Sequence, residues 1–120
     1  MTSARRQGEK EMEYVQIVTT VSTKEAAERI ARTLLEEHLA ACVQIVGPIT
    51  SMYWWQGTIE RTDEYQCQIK SRADHFNRIE EAIVRIHPYE VPEVVALPMP
   101  LCSGGYANWL REELKDRAQP

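Results

Sequence analysis

The pattern of apolar and polar positions changes its period several times along the chain, and each period predicts an element. Residues 14–21, YVQIVTTV, form a short stretch rich in β-branched side chains, which is typical of a strand. Apolar residues then recur at helical spacing and predict an amphipathic helix over roughly 23–38. Ser22, followed three positions later by Glu25, predicts a capping box at the start of this helix.

A long hairpin is predicted next. Apolar positions run over 41–55, and Gly47-Pro48 interrupts them; since proline cannot donate to a strand ladder, the break predicts a bulge or bend. Gln56-Gly57 predicts the turn, because glycine accepts a positive φ. Residues 58–70 end in a strict alternation, so the third strand is predicted to bury one face. Its apolar positions are Tyr65, Cys67 and Ile69, and its polar positions include Glu64 and Lys70.

Three further elements complete the pattern. Ser71 and Asp74 predict the start of a second helix, which Pro88 ends. The continuous apolar run VVAL (94–97) predicts a strand that is buried on both faces. A last helix is predicted over 103–116. It is expected to bury Tyr106, Trp109, Leu110 and Leu114.

The order β-α-β-β-α-β-α predicts an α+β fold. It is the ferredoxin-like βαββαβ arrangement, with an extended β2–β3 hairpin and a C-terminal helix. A chain of 120 residues suits a single core, and residues 13–117 are predicted to form one domain. Residues 1–12 are polar and are predicted to be a flexible tail.

The predicted hairpin is longer than a domain of this size can cover. Residues 58–70 would extend about 43 Å at roughly 3.3 Å per residue. Large apolar side chains precede the turn: Met52, Tyr53, Trp54 and Trp55. A projecting apolar ribbon needs a covering partner, so a closed homo-oligomer built by these hairpins is predicted. The alternative is a monomer whose aromatic side chains fold back on their own sheet.

Composition and charge narrow the function classes. The formal net charge of -4 argues against nucleic-acid binding, which needs clustered Lys and Arg. No stretch approaches 18 consecutive apolar residues, and residues 1–12 lack the apolar run of a signal peptide, so no membrane association is predicted. The cysteines lack a CxxC pair, which favours a reducing, cytoplasmic setting and structural roles for all three. They are Cys42, Cys67 and Cys102.

The stretch HPYEVPE (87–93) concentrates candidate chemistry. His87 supplies an imidazole that titrates near neutrality, and Glu90 and Glu93 supply carboxylates, so the three form a predicted site for a hard or borderline metal ion. Two alternatives stay open. His87 is also suited to capping the second helix, and the glutamates are suited to pairing with Lys70 or an arginine across a subunit interface.

Aromatic and basic residues extend this candidate site. Lys70, Tyr53, Trp55 and Tyr89 are predicted to line a ligand cleft between subunits. Met52 and Trp54 are predicted to anchor the subunit interface.

No hydrolase or transferase signature is present, and SGGY (103–106) lacks the spacing of a phosphate-binding loop. The chain is therefore predicted not to be an enzyme. His38 and His75 are predicted to lie on the surface.

Four stretches together resemble the CutA family of divalent-cation tolerance proteins. They are EEHLAACVQIVGPITSMYWWQGTIE (36–60), IKSR (69–72), IHPYEVPEVVALPM (86–99) and YANWL (106–110). The resemblance implies a ferredoxin-like fold and a homotrimer of PII-type architecture. It also implies a non-catalytic role in tolerance to copper and other divalent cations, with metal ions as partners; a PII-like small-molecule sensor or signalling scaffold is the alternative. Members with a proposed copper site have a cysteine where this chain has Thr19, and paired histidines where it has Ile86-His87.

Overall fold

A four-stranded antiparallel sheet and three helices build the protein, whose computed structural model describes residues 12–116. The elements are β1 (Tyr14–Val21), α1 (Lys24–Glu36), β2 (Cys42–Trp55), β3 (Thr58–Arg72), α2 (Phe76–Ile86), β4 (Val95–Pro98) and α3 (Gly104–Leu114), with a 3-10 turn over Ala73–His75. The tail predicted for residues 1–12 lies outside the described residues apart from Met12, and so does residue 117 of the predicted domain.

The strand order β2-β3-β1-β4 confirms the α+β class and the ferredoxin-like βαββαβ topology. β1 pairs antiparallel with β3 on one side and with β4 on the other, so it lies at the centre of the sheet. No helix within residues 12–116 is long and apolar enough to cross a membrane.

The core lies between one face of the sheet and the helices α1 and α2. Ile17 of β1 pairs with Ile69 of β3, and both are fully buried. The buried residues of the helices follow the predicted stripes: Ala27, Ile30, Ala31 and Leu34 of α1, and Ile79, Ala82 and Ile83 of α2. The cap of α1 is Thr23, whose Oγ1 accepts from the Ala26 N–H at 3.1 Å. The capping box predicted at Ser22 is therefore wrong by one residue.

The β2–β3 hairpin projects from this core as the sequence predicts. Its turn residues have positive φ angles, 50° at Gln56 and 83° at Gly57. The register shifts between Val46 and Ile49, where a bulge replaces regular pairing. Every residue over 52–61 is exposed. The radius of gyration, 16.4 Å, exceeds the roughly 13 Å of a compact chain of this length because of this arm.

Three burial predictions are wrong in the single chain. β4 is an exposed edge strand, because nothing in residues 12–116 pairs with its outer edge or covers its faces. Tyr106 and Trp109 of α3 pack against each other with ring centroids 5.5 Å apart, and both stay partly exposed. His75 is buried, because the 3-10 turn directs its Nδ1 toward the Leu39 carbonyl at 3.3 Å.

Arg72 joins α3 to the end of β3. Its Nη1 donates to the Leu114 carbonyl at 2.9 Å, which satisfies a free acceptor at the end of the helix. Its Nε and Nη2 donate to the two carboxylate oxygens of Asp74 at 2.8 and 2.6 Å, and this pairing lowers the pKa of Asp74. The guanidinium fork makes all three contacts at once, which an ammonium group cannot do.

Replacing Arg72 by lysine is expected to lower the free energy of unfolding by about 1–3 kcal/mol, because the Leu114 carbonyl loses its donor. Urea unfolding measures this loss, and hydrogen exchange should show faster exchange in α3 than in α1. Arg85→Lys is the matched control, since Arg85 is exposed and lies 3.8 Å from Glu37. Equal stability of the two variants would refute the role of Arg72.

Candidate functional site

A cleft of about 600 Å³ lies between the β2–β3 hairpin and the segment that joins α2 to β4. Its lining residues are Thr20, Ser51, Met52, Tyr53, Trp54, Trp55, Glu64, Tyr89, Glu90, Val91 and Glu93. The volume falls in the range of small-molecule sites in proteins, about 300–1,000 Å³. The cleft therefore collects most of the residues that the sequence selects, from two separate parts of the fold, β2 and the segment between α2 and β4.

His87 fixes the start of the joining segment. α2 ends at Ile86, and the His87 N–H still donates to the Ile83 carbonyl at 2.8 Å. Its ring Nε2 lies 2.9 Å from the Thr20 carbonyl, and its Nδ1 accepts from the Tyr89 N–H at 3.1 Å. A carbonyl only accepts and a backbone N–H only donates, so Nε2 carries the proton and the ring is neutral. Burial of the ring lowers the pKa of His87, which favours this neutral form.

These bonds leave no free lone pair on the His87 ring for a metal ion. Glu90 and Glu93 both line the cleft and are exposed. Within residues 12–116, no three His, Cys, Asp or Glu side chains converge in a way that could hold a metal. The metal site predicted from His87, Glu90 and Glu93 is thus not formed by one chain in this conformation. Metal binding by the two glutamates stays a prediction for an assembled protein.

Thr19 cannot add a ligand to the cleft either. It is fully buried on the core face of β1, opposite Cys67, whereas its neighbour Thr20 lines the cleft. The Thr19 Oγ1 has no hydrogen-bond partner there.

Glu64 is the functional candidate that the sequence analysis missed. Only 5% of its surface is exposed, although strand alternation places it on the polar face of β3. The Tyr89 hydroxyl donates to its Oε2 at 2.6 Å, and the Tyr89 ring lies edge-on to His87 with centroids 4.8 Å apart. Burial, and then the nearby Glu64 carboxylate, raise the pKa of Tyr89, so its hydroxyl stays a donor. The distant Tyr89 covers Glu64, and no local pattern in β3 reveals this.

The cleft favours positive charge. Of its lining residues within the described part of the chain, three are glutamates, Glu64, Glu90 and Glu93, and none is Lys or Arg. A concave, acidic surface with aromatic walls concentrates cations from solution. Its aromatic side chains are Tyr53, Trp54, Trp55 and Tyr89.

Lys70 does not join this cleft in the single chain. It lies six positions beyond Glu64 on β3, which is about 20 Å along the strand. Its Nζ donates to Gln44 Oε1 at 2.8 Å. The structure therefore brings together the predicted cleft residues Tyr53, Trp55 and Tyr89, but not Lys70.

The cysteines lie away from the cleft. Cys67 is fully buried, as predicted for a small apolar core residue, and burial raises the pKa of its thiol to about 11. Cys42 and Cys102 are free thiols and are half-buried.

The pH dependence of stability tests the assignment of His87. Because burial lowers the pKa of His87 below its ordinary value of 6.5, the unfolded chain binds the proton more readily than the folded one. A neutral, buried His87 therefore adds to the free energy of unfolding above pH 6.5. This stabilisation is lost as the pH falls from 6.5 through the lower pKa that His87 has in the folded protein. The pKa of buried His75 is lowered in the same direction.

The free energy of unfolding in urea is measured at pH 7.5 and at pH 5. We expect it to fall less between these two pH values for His87→Asn than for the unmodified protein. Asn has no group that titrates in this range. His38→Asn is the control, since His38 is exposed and has a φ of 56°, which asparagine tolerates. If both variants keep the full pH dependence, His87 is not the buried neutral group.

Comparison with known proteins places this chain in a family. A family model described as CutA1 divalent ion tolerance protein matches residues 15–113. The divalent-cation tolerance protein CutA of Thermus thermophilus is 44% identical over 96 residues, which are 80% of this chain and 93% of that protein. The chloroplastic protein CutA 1 of Oryza sativa subsp. japonica is 38% identical over 100 residues, and the match spans 83% of this chain but 56% of the rice protein.

Solved structures agree with these matches. The structure of the divalent cation tolerance protein Cut A1 from Thermus thermophilus superposes with a TM-score of 0.82 at 40% identity, covering 85% of this chain and 99% of that one. The crystal structure of CutA1 from Oryza sativa gives a TM-score of 0.84 at 36% identity, covering 88% and 96%. On the sequence match, the fold and the structural similarity together, the chain belongs to the CutA1 divalent ion tolerance protein family.

Proposed function

We propose that this protein acts in divalent-cation tolerance as a non-catalytic, cytoplasmic homotrimer that binds divalent cations, copper among them, without holding them tightly. The observation that carries the proposal is the acidic cleft, whose lining from residues 12–116 includes Glu64, Glu90 and Glu93 but no Lys or Arg. The names of relatives such as the Thermus thermophilus divalent-cation tolerance protein support the same role. The absence of a hydrolase or transferase signature in the sequence supports a non-catalytic protein.

The homotrimer is supported by two exposed apolar surfaces. On the hairpin, Met52, Trp54 and Ile59 are exposed, and Trp54 leaves 72% of its surface uncovered. At the opposite edge of the sheet, Val95 and Leu97 are exposed on β4, which has an unpaired outer edge. Exposed apolar surfaces and a free strand edge of this kind are usually covered by a partner. Two complementary surfaces at opposite ends of one chain suit a closed ring of identical subunits.

In such a ring, Glu90 and Glu93 are the proposed cation ligands. Both are exposed on the cleft wall and accept hard or borderline divalent cations through carboxylate oxygens. The missing ligands would come from the neighbouring subunit, because one chain does not gather three. His87 is assigned a structural role in this proposal, since it holds the segment that carries both glutamates.

The second candidate is a PII-like small-molecule sensor or signalling scaffold. The observation that favours it is the size of the cleft, about 600 Å³, which matches small-molecule sites. Both candidates use the same cleft, and they differ in the ligand.

The oligomer is tested by Trp54→Glu. A charge at an anchor of an apolar interface is expected to weaken assembly by at least about 2 kcal/mol. Light scattering after size exclusion should then give a trimer for the unmodified protein and smaller species for the variant at micromolar concentration. Val84→Glu places the same charge on an exposed aliphatic position of α2 and should leave the trimer intact. A monomeric unmodified protein would refute the proposed assembly.

The cation ligands are tested by calorimetry with Cu²⁺, Zn²⁺ and Mn²⁺. The double variant Glu90→Gln, Glu93→Gln keeps the shape of both side chains, and we expect it to bind each ion at least about tenfold more weakly, which corresponds to about 1.4 kcal/mol. The control is Glu80→Gln, Glu81→Gln, on the exposed surface of α2. Unchanged binding by the cleft variant, or equal loss in the control, would remove Glu90 and Glu93 from the site.

A further inference from the structure

The cleft contains far more space and aromatic surface than a bare ion uses. A divalent ion with oxygen ligands at about 2.5 Å fills a sphere of roughly 65 Å³. The cleft holds about 600 Å³. Four aromatic side chains from two parts of the fold line it, Tyr53, Trp54 and Trp55 on the hairpin and Tyr89 opposite them. This composition is that of a site for an organic molecule.

Charge restricts the class of that molecule. Among residues 12–116, the lining includes three glutamates and no basic side chain, so these residues repel an anionic ligand. Aromatic ring faces attract ammonium and guanidinium groups, and the attraction is stronger where water is excluded. Carboxylates and aromatic rings therefore favour the same kind of ligand here, an organic cation.

Glu64 provides an independent observation that points to such a ligand. It is the one buried carboxylate among the described residues, and the Tyr89 hydroxyl occupies its Oε2 at 2.6 Å. Its Oε1 makes no hydrogen bond within residues 12–116, and it is not sealed off from solvent. A buried carboxylate without a cationic partner is costly, and each oxygen accepts more than one hydrogen bond. Glu64 lines the cleft, and its Oε1 is thus an acceptor without a donor from residues 12–116.

We propose that the cleft binds an organic cation, with an ammonium group donating to Glu64 Oε1 and an apolar body lying against the rings of Tyr53 and Tyr89. Tyr89 contacts Glu64 directly, and the Tyr53 hydroxyl lies 3.5 Å from Thr62 Oγ1, two positions from Glu64 on β3. The inference rests on the cleft being the functional site, as proposed above, and names a ligand class for the small-molecule candidate. Glu90 and Glu93, at the mouth, add long-range attraction. Metal binding by these two glutamates is a separate event with separate residues.

The test uses the full chain in its assembled state, with 2-phenylethylammonium as the cationic probe and 2-phenylethanol as its neutral counterpart of similar size. Binding is followed by tryptophan fluorescence, since Trp54 and Trp55 line the cleft, and by calorimetry. We expect saturable binding of the ammonium compound and at least about tenfold weaker binding of the alcohol. Equal affinities, or no binding of the ammonium compound at millimolar concentration, would overturn the inference.

Glu64→Gln is the matching variant, because it keeps the shape of the side chain and leaves an amide oxygen to accept from Tyr89. We expect it to bind 2-phenylethylammonium at least about tenfold more weakly, with Glu80→Gln unchanged. An undiminished affinity in Glu64→Gln would overturn the assignment of the ammonium position. The comparison of the two probes on the unmodified protein does not depend on the folding of any variant.

The same proteins are then titrated with Zn²⁺. If Zn²⁺ binds through Glu90 and Glu93 while the organic probe does not bind, the organic-cation inference fails and the proposed function stands. If the probe binds through Glu64 while no divalent ion binds, the inference stands and the proposed cation binding fails.

Discussion

One chain of hydrogen bonds, from the Thr20 carbonyl through His87 and Tyr89 to Glu64, holds the wall of the cleft in place. The segment between α2 and β4 has no regular secondary structure, so it lacks the repeating backbone bonds that fix a helix or strand. His87 ties its start to β1, and the Tyr89 side chain ties its middle to β3. Without these contacts, Glu90 and Glu93 would have no fixed position relative to the hairpin.

Within residues 87–93, this arrangement separates His87, which has a structural role, from the exposed carboxylates of Glu90 and Glu93, which are the proposed ligands. His87 uses both ring nitrogens inside the chain, and its neutrality follows from the bonds it makes. The acidic groups keep their capacity to accept, because Tyr89 occupies only one oxygen of Glu64. The cleft consequently combines a rigid floor with carboxylates that are open to solvent. A rigid site binds with a smaller loss of conformational entropy than a mobile one.

The sequence predicts the features that depend on local periodicity, and fails where distant segments meet. The stripes of α1 and α2, the turn at Gln56-Gly57 and the bulge after Val46 follow from spacing and from glycine and proline chemistry. Glu64 could not be selected, because alternation in β3 places it on the polar face, and its contact with Tyr89, 25 positions later, cannot be read from local spacing. The ring nitrogens of His87 bond the Thr20 carbonyl of β1 and the Tyr89 N–H. Neither bond can be read from the sequence, so the sequence predicts His87 as a metal ligand from its residue type alone. The prediction that β4 is buried on both faces is wrong for a single chain, because nothing within residues 12–116 covers its apolar side chains.

Access to solvent is a physical reason why Glu64 is tolerated without a cationic partner. Glu64 lines the cleft and its Oε1 is not sealed off, so water can hydrate this oxygen although only 5% of the residue is exposed. Any ligand that fills the cleft displaces this water, and a neutral apolar ligand would leave a carboxylate without donors in a low-dielectric space. A ligand with positive charge and N–H donors replaces the hydrogen bonds and the charge stabilisation that water gives the Glu64 carboxylate. A lysine or arginine from a neighbouring subunit would do the same, but Lys70 lies about 20 Å away along β3 in its own chain. Glu64 Oε1 therefore favours a positively charged partner, whether a ligand or a neighbouring subunit supplies it.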